Sequence, residues 1–390
     1  MDSDLFDDDH LAYAAAVRGF AEREVVPNLD RWETDREIDR EVWLAAGRQG
    51  LLGLSVPERF GGSGVTDYRF RVALINELAA VGASSLQSGF STNDDIVLSY
   101  LLRLATDEQC ERWLRGFTTG ETIGAIAMSE PGTGSDLQAI STSAVRVDGG
   151  WRLSGSKTFI TSGILADLVI VVARTPAASD ADAGAKAFTL FVVESGMPGF
   201  RRGRKLQKVG LQAQDTAELF FDDVYVPDAN VLGDVGGGFG HLMDNLPLER
   251  LGIALAGQFS AEATLRWTVD YVRDRRAFGK AIADFQNTSF TLADLITRTE
   301  SCRAYLDRAV TRYNAGTLTA VDAAKTKLIA TENQWAVIDA CVQLHGGYGY
   351  MLEYPVGRAF TDARIQRIYG GTNEIMKLII GRHELAGSTR

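Results

Sequence analysis

Strand signals fill residues 123 to about 235, and helical periodicity lies on both sides of them. This segregation constrains the fold more than any other feature of the chain. Strands alternating with helices would build a parallel α/β sheet, whereas separate runs of each type argue for α+β. Within the block, 141–147 and 151–155 flank Asp148-Gly149-Gly150, a hairpin signal. The apolar runs 168–173 and 188–193 have strand length, and 218–227 closes the block. Between those two runs, 176–184 reads as a surface loop.

The flanking parts are helical. In residues 1–122, the stretch 11–20 leads into a charged helix predicted to stop near Pro27, which cannot donate an interior hydrogen bond. A helix over 41–49 ends at Gly50, the glycine-dense 57–64 is a loop, and helices follow over 67–81, 94–104 and 107–115. In residues 236–390, Gly236-Gly237-Gly238 is a hinge-like entry to helices over roughly 250–273, 286–314, 321–344 and 373–383, packed as a bundle. Three domains are therefore expected: a helical one over 1–122, a β one over 123–235 and a helical bundle over 236–390.

Composition removes several classes of function. A net charge of −11 disfavours a general nucleic-acid binder, which needs a basic surface. Cys110, Cys302 and Cys341 lack CxxC spacing and are read as reduced and buried, and no two of the four histidines share a metal-ligand spacing. No apolar run reaches the roughly 18 residues of a membrane helix, and the acidic N-terminus lacks a signal-peptide core. A cytoplasmic location is expected.

Five short blocks carry chemistry. Residues 126–136 follow a strand with small residues and free N–H groups, suited to a planar ring or a pyrophosphate; by composition alone this is a Gly-Ser turn. Residues 157–163 offer an aromatic and hydroxyls at a strand end. Residues 273–280 end a helix in basic residues, which by itself suits the helix dipole. Residues 343–347 contain His345, which alone would be a satisfied core histidine. Last comes Ile368-Tyr369-Gly370-Gly371-Thr372-Asn373-Glu374-Ile375.

Taken in order from 56–62 to 379–382, these blocks resemble the flavin-dependent acyl-CoA dehydrogenase family over almost the whole chain. The resemblance implies an N-terminal helical domain, a central β-barrel-like domain, a C-terminal four-helix bundle and a homotetramer built as a dimer of dimers. It implies FAD as cofactor. Ile126, Met128, Ser129, Gly134 and Ser135 would approach the flavin and pyrophosphate, with Phe159 packed on the isoalloxazine and the Thr161 hydroxyl toward N5. Many members have tryptophan where Phe159 stands. Arg275, Phe278 and Gln286 would bind the pyrophosphate and adenosine part from a neighbouring subunit, as would Gln343, Leu344, Gly346 and Gly347. Thr372, Asn373 and Glu374 resemble the final segment at FAD.

One position departs from the common pattern. Where many members carry a catalytic glutamate, this chain has Gly370. A carboxylate must then come from elsewhere. Glu249, flanked by Leu246, Leu248, Leu251 and Ile253 just after Pro247, lies in surroundings that would desolvate it and raise its pKa. By itself it reads as half of a solvated Glu249–Arg250 pair. Isovaleryl-CoA and long-chain members, however, place their base on this helix in a Leu-x-x-Glu-Arg context, with alanine or glycine at the usual position. This chain matches both halves of that exchange. Glu374 is a competing carboxylate, and Glu130 reads as structural.

The resemblance implies α,β-dehydrogenation of an acyl-CoA to a trans-2-enoyl-CoA, as in β-oxidation. Glu249 would take the α-proton, the Gly370 N–H would hold the thioester carbonyl, and Ser135, Leu246, Arg250, Tyr369 and Gly371 would line the substrate. An electron-transferring flavoprotein would be the acceptor. Three alternatives stay open: a flavin oxidase of the same fold, a dehydrogenase of carrier-protein thioesters, and a non-catalytic relative. Acyl length and branching are not readable.

Overall fold

The computed structural model describes residues 5–176 and 188–386, so most of the 176–184 loop lies outside the described residues. The N-terminal helices are α1 (Asp8–Phe20), α2 (Leu29–Asp35), α3 (Arg40–Arg48), α4 (Arg69–Ala80), α5 (Ser84–Ser91), α6 (Leu98–Leu104) and α7 (Asp107–Thr119). Asp7 and Thr106 close capping boxes at the starts of α1 and α7.

Pro27 does not stop the helical path. A wide turn, Ala21–Val25, and a tight turn, Val26–Asn28, carry the chain from α1 into α2. Pro27 sits at the start of the tight turn, where its missing N–H is not needed. Val25 and Trp32 on either side are buried, so packing holds the path together. The helix expected over 94–104 likewise begins earlier. A π turn, Thr92–Val97, joins α5 to α6 and brings Asp94 and Asp95 inside. Such turns cluster at functional sites.

The strands are β1 (Gly124–Ala127), β2 (Ser143–Val147), β3 (Gly150–Thr161), β4 (Leu168–Arg174), β5 (Phe188–Glu194), β6 (Phe200–Lys205), β7 (Thr216–Pro227) and β8 (Val231–Leu232). They run in the order β6-β7-β3-β2-β4-β5-β8, with β1 parallel to β4. The hairpin at Asp148-Gly149 is present, with Val147 paired to Gly150. The two halves of the sheet enclose one core that includes Trp151, Leu153, Val171, Phe191 and Val226. β4 has no polar alternation because both its faces are covered: Val169 and Val171 face that core, while Ile170 and Val172 pack with residues of α6 and α7.

The C-terminal helices are α8 (Gly238–Asp274), α9 (Gln286–Asn314), α10 (Ala320–His345), α11 (Pro355–Ala363) and α12 (Asn373–Leu385). A two-stranded ribbon, β9 (Arg276–Ala277) with β10 (Lys280–Ala281), separates α8 from α9. α8 starts well before the expected residue 250 and passes through Pro247. The proline costs one helical hydrogen bond, yet burial of Leu242, Asn245 and Leu248 carries the helix across it. The cysteines are free and buried. Among the described residues no helix is long and apolar enough to cross a membrane, and no cluster of metal-ligating side chains occurs.

Candidate active site

Glu249 lies on α8 against α6 and is 4% exposed; Arg250 is 6% exposed. The solvated pair that the residues alone suggest is therefore not formed. Tyr100 Oη donates to Glu249 Oε1 at 3.1 Å, and Asn245 Nδ2, one turn back on α8, donates to the same oxygen at 3.2 Å. Ser99 Oγ donates to Asn245 Oδ1 at 2.9 Å, which orients the amide. Burial pushes the Glu249 carboxyl above its usual range, while those two hydrogen bonds and the charges of Arg250 and Arg103 oppose the shift. A carboxylate that is dry, held through one oxygen and raised in pKa is suited to proton abstraction.

Gly370 faces this helix. Its φ is +63° and that of Gly371 is +89°, a pair of left-handed conformations that favour glycine. A Cβ on Gly370 would stand 2.3 Å from Ile253 Cδ1. Ile253 lies one turn beyond Glu249, so the space a side chain at Gly370 would need is already taken from the α8 side. Two buried cations hold the turn. Arg250 Nε donates to the Gly370 carbonyl at 3.4 Å, and Lys327 Nζ of α10 donates to the Gly371 carbonyl at 2.6 Å. Burial, with the nearby Arg250 charge, pulls Lys327 down to about 7. Leu246 and Tyr369 are half-buried beside these groups.

Thr372 caps α12 by accepting from the Ile375 N–H at 3.3 Å. Asn373 Nδ2 donates to Thr331 Oγ1 at 3.0 Å and Glu332 Oε1 at 2.8 Å. Glu374 is exposed, and hydrogen bonds to its own N–H and the Thr372 hydroxyl hold it below its usual pKa. It lacks the dry setting of Glu249.

A second group of residues meets at the edge of the sheet. The Thr158 N–H donates to the Ser129 carbonyl at 3.0 Å, and Lys157 Nζ donates to the Met128 carbonyl at 3.0 Å and Glu130 Oε1 at 2.9 Å. Glu130 also accepts from Ser141 and Thr142, so it fixes this loop, as its structural reading has it. A bulge in β3 between Lys157 and Ile160 pushes Phe159 outward at φ +60° and 71% exposure. An aromatic face strained into solvent suits a stacked planar ring. Ile126, Met128, Ser129 and Thr161 are half-buried along the same edge, and Gly134 and Ser135 are exposed on the following loop. A Cβ on Gly134 would meet nothing within 4 Å, so a ligand can approach its backbone.

A third group gathers at the far ends of α8 and α10. Arg275 lies over the Tyr348 ring at 5.4 Å, and Tyr271 stacks on His345 at 4.1 Å. Phe278 is 94% exposed at φ +53° on the ribbon. Gln286, Gln343, Gly346 and Gly347 are exposed nearby, with Leu344 half-buried. His345 Nδ1 lies 2.9 Å from the Cys341 carbonyl, which makes it a core histidine. Among the described residues no hydrogen bond or ring contact joins this group to the sheet edge. A groove of about 1310 Å³ bordered by α4, α8 and α9 contains none of the site residues.

Sequence reasoning missed Tyr100, Asn245, Ser99 and Lys327. Asn245 stands four residues before Glu249, a one-turn spacing that could have been noticed. Tyr100 and Lys327 come from distant helices and carried no local signal.

A helical domain, a sheet domain and a helical bundle, with a dry carboxylate facing a glycine turn, define an acyl-CoA dehydrogenase architecture. The chain belongs to that family. Its N-terminal domain model matches residues 7–121, the middle domain model 125–224 and the C-terminal domain model 236–385. The family is flavin-dependent. The long-chain specific acyl-CoA dehydrogenase, mitochondrial, of Sus scrofa is 46% identical over 378 residues, 97% of this chain and 87% of that protein. The isovaleryl-CoA dehydrogenase, mitochondrial, of Solanum tuberosum is 38% identical over 381 residues, 97% and 91% of the two chains. An acyl-CoA dehydrogenase of Geobacillus kaustophilus superposes with a TM-score of 0.94 at 43% identity, covering 97% and 99%.

Proposed function

We propose that the chain oxidises the α,β bond of an acyl-CoA thioester to the trans-2-enoyl-CoA, with Glu249 as the base. The observation that carries this reading is the burial of Glu249, hydrogen-bonded by Tyr100 and Asn245, on the helix whose Arg250 and Ile253 meet the side-chain-free Gly370. The thioester lies between Glu249 and the sheet edge. The Gly370 N–H donates to its carbonyl oxygen as enolate character develops; one donor of this kind contributes about 3 kcal/mol in other enzymes. Arg250 and Lys327 hold the two following carbonyls and so fix the direction of that N–H. Glu249 takes the α-proton while Tyr100 and Asn245 keep its second oxygen free.

The exposed, strained Phe159 and the open glycine loop at Gly134 fit a flavin, which Thr161, Ser129 and Met128 on the same edge would help to hold. FAD, when bound, supplies the acceptor for the β-hydride. Arg275, Phe278, Gln286, Gln343, Gly346 and Gly347 would complete the cofactor site from a second copy in a homotetramer, which their exposure supports. Thr372 and Asn373 anchor the segment that closes the site, and Glu374 stays at the surface. An electron-transferring flavoprotein would complete turnover.

Anaerobic addition of acyl-CoA to flavin-loaded protein tests the reading. Wild type should bleach, and Glu249→Gln should keep its flavin but not bleach. Bleaching of that variant at the wild-type rate would exclude Glu249 as the base. Rapid peroxide formation without another acceptor would instead identify an oxidase.

A further inference from the structure

Along the seam where α8 packs against the α5–α6 segment, the two helices run in opposite directions. Glu249 meets Tyr100, and Gly252 meets Asp95. Further on, Ala256 and Ser260 meet Ser84 and Gln87. Toward the start of α8, Met243 is exposed and the Asp244 side chain is 69% exposed, paired with Arg103. That end is open, and the bulky CoA moiety must enter there. The acyl tail then points from Glu249 toward Gly252.

What it meets there is charged. Arg71 of α4 donates to Asp95 through Nε and Nη2, both at 3.0 Å, and its Nη1 stands 3.5 Å from Asp94 Oδ2. All three side chains are at most 8% exposed. Asp94 Oδ2 also accepts from the Gly53 N–H at 3.0 Å. A Cβ placed on Gly252 would touch Tyr68 Oη at 3.4 Å and Asp95 Oδ2 at 3.5 Å. Gly252 is three residues past Glu249, so this wall stands about one helical turn, roughly 5 Å, from the base. Beyond it the seam holds a cavity of about 10 Å³ lined by Gln87, Gln334, Gln366 and Asp362, enough for one water.

We infer that the Arg71–Asp94–Asp95 cluster closes the acyl pocket and restricts this enzyme to short or compactly branched acyl groups. The inference rests on the dehydrogenase reading above. A longer aliphatic tail would have to separate three buried, mutually paired charges and break their hydrogen bonds, leaving them unpaired. The cluster enters the site only because the Thr92–Val97 π turn rotates two successive aspartates inward.

The test is the rate of anaerobic flavin bleaching by wild type with butyryl-, isovaleryl-, hexanoyl-, octanoyl- and palmitoyl-CoA. Short and branched substrates should be favoured over octanoyl- and palmitoyl-CoA by at least about tenfold in kcat/KM. Equal handling of butyryl- and palmitoyl-CoA would overturn the end wall while leaving the dehydrogenase reading intact. Bleaching by none of them would overturn both. Replacing the three charges together (Arg71→Leu, Asp94→Asn, Asp95→Leu), so that no partner is stranded, should raise octanoyl relative to butyryl turnover. Should that variant fail to fold, Gly252→Ala is the second probe. Its methyl group enters the same space and should depress hexanoyl more than butyryl turnover; an unchanged ratio would count against the wall.

Discussion

The surroundings of Glu249 and the surroundings of Phe159 are built on opposite plans. Glu249 is 4% exposed, doubly hydrogen-bonded and packed from α6, α8 and the Gly370 turn within one chain. Phe159 is 71% exposed on a strained bulge, and Phe278 is 94% exposed on a ribbon that, among the described residues, has no hydrogen bond or ring contact to the Phe159 edge. The proposed base is enclosed by residues of one chain, whereas the residues proposed for the cofactor lie in separated groups. The difference follows from what each must do. A carboxylate becomes a better base only when its own fold excludes water. An aromatic platform must stay uncovered until its ligand arrives.

The sharpest break of this contrast is a pair of carboxylate substitutions. Glu249→Gln should lower the bleaching rate about a thousandfold, in the usual range for a lost general base. Glu374→Gln, at an exposed site, should leave the rate near wild type. Comparable losses in both would erase the distinction between buried base and surface carboxylate.

Moving the base is the next test. Glu249→Gly with Gly370→Glu should show little recovery, because the new Cβ meets Ile253 Cδ1 at 2.3 Å from a left-handed backbone. Adding Ile253→Ala should recover part of the rate. Recovery without that third change would mean the turn moves more freely than its two buried cations imply.

Lys327→Met removes the donor to the Gly371 carbonyl. Below about pH 7, where the lysine is charged, it should cost about 1.5–3 kcal/mol, as for hydrogen bonds to charged groups, read by denaturant unfolding. kcat should fall more than KM rises if the turn aims the Gly370 N–H. A loss of stability with kcat unchanged would make Lys327 purely structural.

A pH series gives a finer reading. As the proposed base Glu249 acts in its carboxylate form, and burial raises its pKa, so activity should be present above that pKa and lost as pH falls through it. Tyr100→Phe removes a donor to the charged form and should move this acid limb upward. A limb that stays in place would show that Tyr100 does not hold the working carboxylate.

The smallest effect belongs to the exposed side. Phe278→Ala should leave the unfolding midpoint nearly unchanged, as surface substitutions do, while flavin is lost more readily on dilution. Equal flavin retention would remove Phe278 from the cofactor site.

Much of this was readable along the chain. Strand and helix runs gave the helix–sheet–helix order because each periodicity is local. Glu249 stood out through its apolar neighbours and its pairing with Gly370. The path through Pro27, the early start of α8 and the helix α11 were not readable. There, burial outweighs local propensity, and only the assembled core supplies it.

The sequence by itself determined the family and the order of the three domains, and it nominated residues for base and cofactor. Those depend on short segments whose pattern survives in one dimension. Tertiary structure alone decided that Tyr100 and Asn245 hold one Glu249 oxygen, that Lys327 and Arg250 lock the glycine turn, and that Arg71 meets Asp94 and Asp95 beside Gly252. Apart from the one-turn Asn245–Glu249 pair, these contacts join residues on different elements, and their energies exist only once water has been removed from between them.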